Sequence, residues 1–428
     1  MKATFNKLDP LNRRNFMSRA AKAALGVSMV PAGMALGAEN GGAATALKKP
    51  AKNCIFLYMS GGMTHIDTFD PKTGETAGPS RPINTNADGV QIGSFLPQLA
   101  ENHADKMTII RSLSSKTGVH ASGNYIMHTG YNPRGTIVHP TIGPWAQKLL
   151  GRQNRGLPDS VTIGGGGGHP GSGFLGPLYA PIPINDSNRG LQNSVSPVGK
   201  EKFEHRMDLA NKFDAEFREK FPHKDVKAYT EFYDETLSLL TSEDLKCFDL
   251  SREPSEVRAR YGQNGFGQGC LLARRLLEHN VRVVEVQLGG WDMHSGIENA
   301  LNGRANTLDT AMSALLGDLE AKGMLDETLV VVCSEFGRTP RVNQNAGRDH
   351  YPRVFSTVMA GGPVKRGYVY GSSNENGTAV ASNKVEVPDF FATVGHALGL
   401  NTEKTVYSPS GRPFTVGDKG KVHMGVFA

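Results

Sequence analysis

The chain has 428 residues, 38% of them hydrophobic and 51 of them glycine, and its formal net charge is +6. This length allows one large or two to three smaller domains, and the hydrophobic content with mixed charges argues against a disordered chain. Residues 1–46 hold six Lys and Arg against two Asp and Glu, so most of the +6 lies there. The nearly neutral remainder argues against a dedicated nucleic-acid binder, whose binding domain would be strongly basic.

The first 46 residues have the pattern of an export signal. Adjacent Arg13 and Arg14 precede a weakly apolar stretch, residues 20–36, and small residues follow over 37–46. This order is typical of secretory signals, and the paired arginines indicate the twin-arginine route. The apolar stretch is too short and interrupted for a permanent membrane span. We predict delivery by the twin-arginine export machinery to the periplasm or the exterior, with cleavage after Gly37 or Ala46.

Short apolar runs alternate with helical segments over the single domain that we predict for residues 47–428. The runs 55–59, 107–110, 160–163, 281–288, 329–333 and 355–359 predict strands, and the segments 139–150, 200–222, 269–279, 308–323 and 387–398 predict helices. Five glycines at 164–168 open a predicted surface loop to residue 196, and helical sequence continues to 262, so an insertion spans about 164–262. The alternation predicts an α/β fold, with a mostly parallel central sheet between helical layers.

Side chains that favour metal binding follow several of these strands. Ligands bind at the carboxyl ends of strands in such sheets. The segments concerned carry His65, Asp67 and Asp70 after the first strand, Asp292 and His294 after 281–288, Glu335 and Arg338 after 329–333, and Arg348, Asp349 and His350 in a fourth cluster. Mixed carboxylate and imidazole ligands suit zinc, manganese, iron or a similar divalent ion.

Each cluster also has a structural interpretation. Asp67 or Asp70 would stabilise a turn before Pro71, and Glu335 would pair with Arg338 or Arg348. Histidines outside the clusters, His169 among them, are expected to be ordinary core or surface residues. The four cysteines lack a CxxC pair, so we expect buried thiols rather than a structural zinc site.

The cluster motifs resemble those of a known family. Gly-Gly-Trp-Asp-Met-His at 289–294, Ser-Glu-Phe-Gly-Arg-Thr-Pro at 334–340 and Gly-Arg-Asp-His-Tyr-Pro at 347–352 resemble the bacterial domain-of-unknown-function 1501 family, and so does segment 61–71. The resemblance covers nearly all of residues 50–428. Its members are commonly exported by the twin-arginine route and are grouped with the alkaline-phosphatase and sulfatase superfamily. The resemblance therefore implies an alkaline-phosphatase-like α/β/α sandwich, with a metal site at the strand ends.

The resemblance also implies roles for individual residues. One ion, zinc first and manganese, iron or calcium as alternatives, would be bound by Asp292, His294, His350 and Asp349. Glu335, with Asp67 or His65, would bind a second ion or orient substrate. Arg338 and Arg348 would clamp an anionic group, because a guanidinium fork matches its oxygens. Phe336 stands where the superfamily has a ligating histidine.

The nucleophile is the weakest match to the superfamily. Counting back from Thr129-Gly130 puts His120 at the nucleophile position, with Ser122 nearby, and no Cys-x-Pro-x-Arg motif is present. Either residue would attack, or His120 would act as a ligand or acid while water attacks. We therefore expect an exported metal-dependent hydrolase of phosphate or sulfate esters, including sulfated or phosphorylated glycans. The alternative is a non-catalytic exported binding protein on the same fold.

Overall fold

The fold is built around a large β-sheet with helices on both faces. The computed structural model describes residues 45–165, 168–192, 194 and 198–428, so nearly all of the predicted signal segment lies outside the described residues. Residues 44–428 form one compact unit. The strands are β1 (Asn53–Met59), β2 (Pro82–Asn84), β3 (Gln91–Gly93), β4 (Met107–Ser114), β5 (Ser160–Ile163), β6 (Ile182–Ile184), β7 (Val283–Leu288), β8 (Thr328–Cys333), β9 (Gly337–Arg338), β10 (His350–Tyr351), β11 (Phe355–Ala360), β12 (Tyr368–Tyr370), β13 (Ser372–Ser373), β14 (Val380–Ser382), β15 (Val385–Glu386), β16 (Val406–Tyr407) and β17 (Pro413–Phe414).

Nine of these strands form the central sheet. Their order is β12-β4-β11-β8-β1-β7-β5-β6, and β15 adds to β4. Among these nine strands, β11 alone runs antiparallel to its neighbours β4 and β8, whereas β8, β1, β7, β5 and β6 pair in parallel. The predicted mostly parallel sheet is confirmed.

The helices cover both faces of this sheet. They are α1 (Pro97–Asn102), α2 (His120–Thr129), α3 (Ile142–Leu150), α4 (Lys200–Lys220), α5 (Lys224–Thr241), α6 (Ser255–Arg260), α7 (Gly265–Glu278), α8 (Ile297–Ala321) and α9 (Val387–Ala397). Alternate residues of β1 enter two different cores. Ile55, Leu57 and Met59 pack with α1, α7 and α8, whereas Phe56 and Tyr58 pack with α2, α3 and α9. Side chains of a strand point alternately to opposite faces, so the α/β prediction with two helical layers is confirmed.

The predicted insertion differs from the expectation in its first part. The segment expected to be a loop contains β6, which extends the sheet by pairing in parallel with β5. Helices α4 and α5 follow, as the sequence predicts for this region. All four cysteines are buried and free. Among the described residues, no helix is both long enough and apolar enough to cross a membrane.

Candidate metal centre

The carboxyl ends of the parallel strands bring four separate segments to one edge of the sheet. Asp292 and His294 follow β7, Glu335 follows β8, and His120 begins α2 after β4. His350 lies in β10, just before β11. Because β11 runs opposite to its neighbours, the residues that precede it lie at the same edge as the residues that follow the others. The reversed strand therefore delivers His350 to the site.

Three histidines surround one carboxylate oxygen at this edge. The Oδ1 atom of Asp292 lies 3.0 Å from His294 Nε2, 3.1 Å from His350 Nε2 and 3.4 Å from His120 Nε2. The Nε2 atoms of His294 and His350 are 3.0 Å apart. One ligand atom from each of His120, Asp292 and His350 falls within 4.8 Å of the others. We call His120, Asp292, His294 and His350 the Asp292 cluster.

The other ring nitrogen of each histidine faces an acceptor. Nδ1 of His120 is 2.9 Å from Oε1 of Glu335, and Nδ1 of His294 is 2.8 Å from Oδ1 of Asp349. Nδ1 of His350 is 2.7 Å from the carbonyl oxygen of Gly118. Each Nδ1 therefore faces an acceptor, and Nε2 is the atom that each ring directs to the centre of the cluster. Metal-ligating histidines are oriented in this way by carboxylates and carbonyls.

Glu335 supports His120 from below. Its carboxylate is buried and accepts hydrogen bonds from the Tyr58 hydroxyl at 3.2 Å and the Gly61 backbone N–H at 2.8 Å. The Ser334 hydroxyl lies 3.1 Å from the same carboxylate. This set of donors satisfies the buried carboxylate oxygens and holds them in place. Glu335 thus orients the His120 imidazole from outside the Asp292 cluster.

Arg338 anchors Asp292 from inside the protein. Its guanidinium is fully buried, donates at close range to Asp292 Oδ1 and to the Gly61 carbonyl, and donates to the Gly62 carbonyl at 2.9 Å. Nη1 donates to the Arg348 carbonyl at 3.0 Å. Burial alone would raise the pKa of Asp292, but hydrogen bonds from Arg338 and His350 and the Arg338 charge lower it to about 2. Asp292 is therefore an anion at any pH near neutral.

Gly61 allows the segment after β1 to lie directly against the backbone of Asp292. It has a φ of +119°, and a Cβ on it would lie 2.5 Å from the backbone nitrogen of Asp292. Both features exclude an ordinary side chain at this position. Phe336 forms a wall instead of a ligand, with its ring centroid 4.9 Å from that of His120 and 4.8 Å from that of His350.

The structure does not bring Asp67, His65 and Glu335 together as a second ion site. Asp67 and Arg348 are both fully buried and form a two-point ion pair, with Arg348 Nε 2.7 Å and Nη2 3.2 Å from the carboxylate oxygens. Buried His65 instead has its Nε2 3.0 Å from the Gly377 carbonyl oxygen, and burial lowers the pKa of this imidazole. Charge pairing in the interior occupies Asp67 and Arg348, so neither is available to ligand or substrate.

Ser122 lies in the first turn of α2, two residues after His120, and is partly exposed. Within the described residues its hydroxyl makes no hydrogen bond, so no base is positioned to activate it. Asp349 is exposed at the rim and contacts His294, and hydrogen bonds from His294 and Asn343 lower its pKa.

A second group of ligand-type side chains lies deeper in the fold. His128 Nε2 is 3.1 Å from Oε1 of Glu285, and His169 Nε2 is 3.4 Å from Oε2. The three ligand atoms lie within 4.8 Å of one another, and we call these residues the buried histidine–glutamate cluster. Sequence reasoning missed it, although a charged residue inside the apolar strand Val-Val-Glu-Val of β7 was a usable signal.

Comparison with known families identifies the chain's relatives. The family described as "Protein of unknown function (DUF1501)" matches residues 51–427. The chain belongs to this family. No curated protein matches the chain.

Several solved structures are similar to this DUF1501 protein. The alkaline phosphatase from the Antarctic bacterium TAB5 is 16% identical with a TM-score of 0.38, and the match covers 82% of this chain and 99% of that one. The PsFucS1 sulfatase from Pseudoalteromonas sp. is 13% identical with a TM-score of 0.38, over 82% and 68% of the two chains. The lipoteichoic acid synthase LtaP from Listeria monocytogenes is 11% identical with a TM-score of 0.36, over 82% and 73%.

Proposed function

We propose that the protein is an exported, metal-dependent hydrolase of phosphate or sulfate esters. The observation that carries the proposal is the convergence of three imidazole Nε2 atoms on Oδ1 of Asp292, each ring having its Nδ1 directed at another acceptor. Imidazole nitrogens and a carboxylate oxygen gathered at one point are the ligand atoms that a zinc-like cation takes. Nε2 of His120 is moreover buried without a hydrogen-bond partner among the described residues.

The donor set supports a zinc-like ion held by His120, Asp292 and His350, with His294 beside them. Several imidazoles and one carboxylate are ligands that zinc favours, and manganese or iron also fits. Such an ion polarises an ester oxygen and lowers the pKa of water. The protein's part is to hold Asp292 through Arg338 and to orient His120 through Glu335.

Water is the attacking group that we favour. The Ser122 hydroxyl has no base within hydrogen-bonding distance in the described chain, and a hydroxyl without such a base is a weak nucleophile. Arg338 and Arg348 are not the anion clamp, because their guanidinium groups already donate to Asp292, Asp67 and backbone carbonyls. The exposed side of Asp292 is the face that substrate would approach.

The test measures metal content and ester hydrolysis on the same samples. The mature protein is loaded with zinc, manganese or iron, and metal is counted by elemental mass spectrometry. Hydrolysis of p-nitrophenyl phosphate and p-nitrophenyl sulfate is then followed. We expect Asp292→Asn and His350→Asn to lose one metal equivalent and nearly all hydrolysis. His279→Asn is the matched control, because it removes a histidine that contacts a surface carboxylate, Asp244, at 3.0 Å.

Two results would count against the proposal. Unchanged metal content in both Asp292→Asn and His350→Asn would show that the Asp292 cluster is not the metal-binding site. Metal that binds to the wild type and is lost in these variants, with no hydrolysis of either ester class, would favour the non-catalytic binding protein. Export is tested separately. Replacing Arg13 and Arg14 by lysine is expected to retain the protein in the cytoplasm.

A further inference from the structure

The buried histidine–glutamate cluster joins three parts of the fold that are distant in sequence. His128 comes from α2, Glu285 from the middle of β7, and His169 from the segment after β5. Their side chains are 4%, 13% and 15% exposed. Tyr58 separates this group from the Asp292 cluster, since its ring packs on His128 at 4.3 Å while its hydroxyl contacts Glu335.

We infer that the buried histidine–glutamate cluster is a second binding site, for a zinc-like transition-metal ion, independent of the Asp292 cluster. Two imidazoles and one carboxylate form a known three-residue zinc ligand set, which leaves one position for a further ligand. The ligand atoms already lie within 4.8 Å of one another. The inference does not depend on the proposed hydrolase activity.

A small cavity beside the cluster provides room for that further ligand. Its volume is about 20 Å³, and its lining includes all three residues of the cluster together with Ser160 and Thr162. This volume is enough for one water molecule. The hydroxyl oxygen of Ser160 is buried and has no hydrogen-bond partner among the described residues. A polar atom left unpaired in the interior is costly, and a water on the bound ion would satisfy it.

The hydrogen bonds around the cluster define what must change on binding. Nδ1 of His128 lies 2.8 Å from the Asn124 carbonyl oxygen, so it carries a hydrogen and Nε2 is the ligating atom. The Gly171 N–H donates to Nδ1 of His169 at 3.1 Å, which leaves the hydrogen of His169 on Nε2.

On metal binding the hydrogen of His169 therefore moves from Nε2 to Nδ1 with loss of the Gly171 contact, and Nε2 then ligates the ion. The bound ion would cross-link α2, β7 and the segment around His169, and would stabilise the fold.

The experiment separates the two sites by using variants of each. The double variant Asp292→Asn/His350→Asn disables the Asp292 cluster and serves as the background. Into it are placed His169→Asn, which leaves the buried His128–Glu285 pair intact, and separately Glu285→Gln. His279→Asn in the same background is the matched control. Zn²⁺ alone is the probe, with elemental analysis after desalting, X-ray absorption at the zinc edge and thermal unfolding with and without Zn²⁺.

We expect the background variant to keep about one equivalent of zinc, with two imidazoles at about 2.0 Å in the absorption spectrum. Added Zn²⁺ should raise its unfolding temperature, because a ligand of the folded state stabilises it. His169→Asn and Glu285→Gln should each lose the metal and the thermal shift, whereas His279→Asn should keep both.

Two results would overturn the inference. One is a background variant that binds no zinc while folded by circular dichroism. The other is undiminished zinc binding after His169→Asn, which retains the fold because it changes the most exposed member of the cluster. Failure of the proposed hydrolase gives a different pattern, since metal would then remain at the buried histidine–glutamate cluster while ester hydrolysis is absent.

Discussion

The buried ion pair between Asp67 and Arg348 provides the sharpest test of how charge is used at this end of the sheet. Both side chains are 0% exposed, and the Thr64 hydroxyl adds a hydrogen bond to Asp67 at 2.8 Å. Asp67→Ala would leave the guanidinium with two unmatched donors in the interior. Removing one partner of a buried pair costs about 3–5 kcal/mol of unfolding free energy.

This cost can be expressed as a melting temperature. The compact unit of residues 44–428 has an unfolding entropy of about 0.8 kcal/mol per degree, so we expect the melting temperature to fall by about 4–6 °C. The double variant Asp67→Leu/Arg348→Met removes both charges and should recover most of that loss. Recovery will be incomplete, because Arg348 also donates to the carbonyls of Thr339 and Pro340.

The assay is thermal unfolding of both variants, combined with metal counting. Gly78→Ala offers an independent route to the same pair, because a Cβ there would collide with the Asp67 carboxylate and the Arg348 guanidinium. We expect it to destabilise the protein without loss of metal. The reasoning is refuted if Asp67→Ala keeps its melting temperature but loses metal, which would make Asp67 a ligand as the sequence first indicated.

Three further predictions concern the Asp292 cluster. Glu335→Gln should lower kcat about 10–100-fold with metal retained, because His120 loses its orienting carboxylate. An unchanged kcat would contradict this. Asp349→Asn should weaken metal affinity about 10–100-fold through His294, as measured by chelator competition, and an unchanged affinity would exclude that role. The pKa of Asp292 is lowered from 3.8 to about 2, so its contribution to the stability of the metal-free protein is present above about pH 4 and lost as pH falls through about 2. The stability difference between wild type and Asp292→Asn in urea should therefore shrink as pH falls from about 4 to about 2, and a difference that grows over this range would refute it.

The sequence alone was sufficient to predict the fold class and to propose where a candidate site would lie. Continuous apolar runs such as Ile55–Met59 occur where both faces of a strand are covered, so they predict a parallel sheet between helices. The rule that ligands bind at the carboxyl ends of strands then predicts Asp292, His294 and His350 as site residues. Local pattern carries this information, because it depends on a few neighbouring residues.

The tertiary structure decided which charges are free and which are already paired. Arg338, Arg348 and Asp67 are ordinary candidates for ligand binding by residue type, yet long-range contacts bury all three and saturate them. Glu285 is the opposite case. This single charge inside a strand is a candidate metal ligand only because α2 and the segment after β5 bring two histidines to it. The desolvation cost of a buried charge is met by partners that lie between 46 and 281 residues away in the chain, and no local pattern in the sequence identifies those partners.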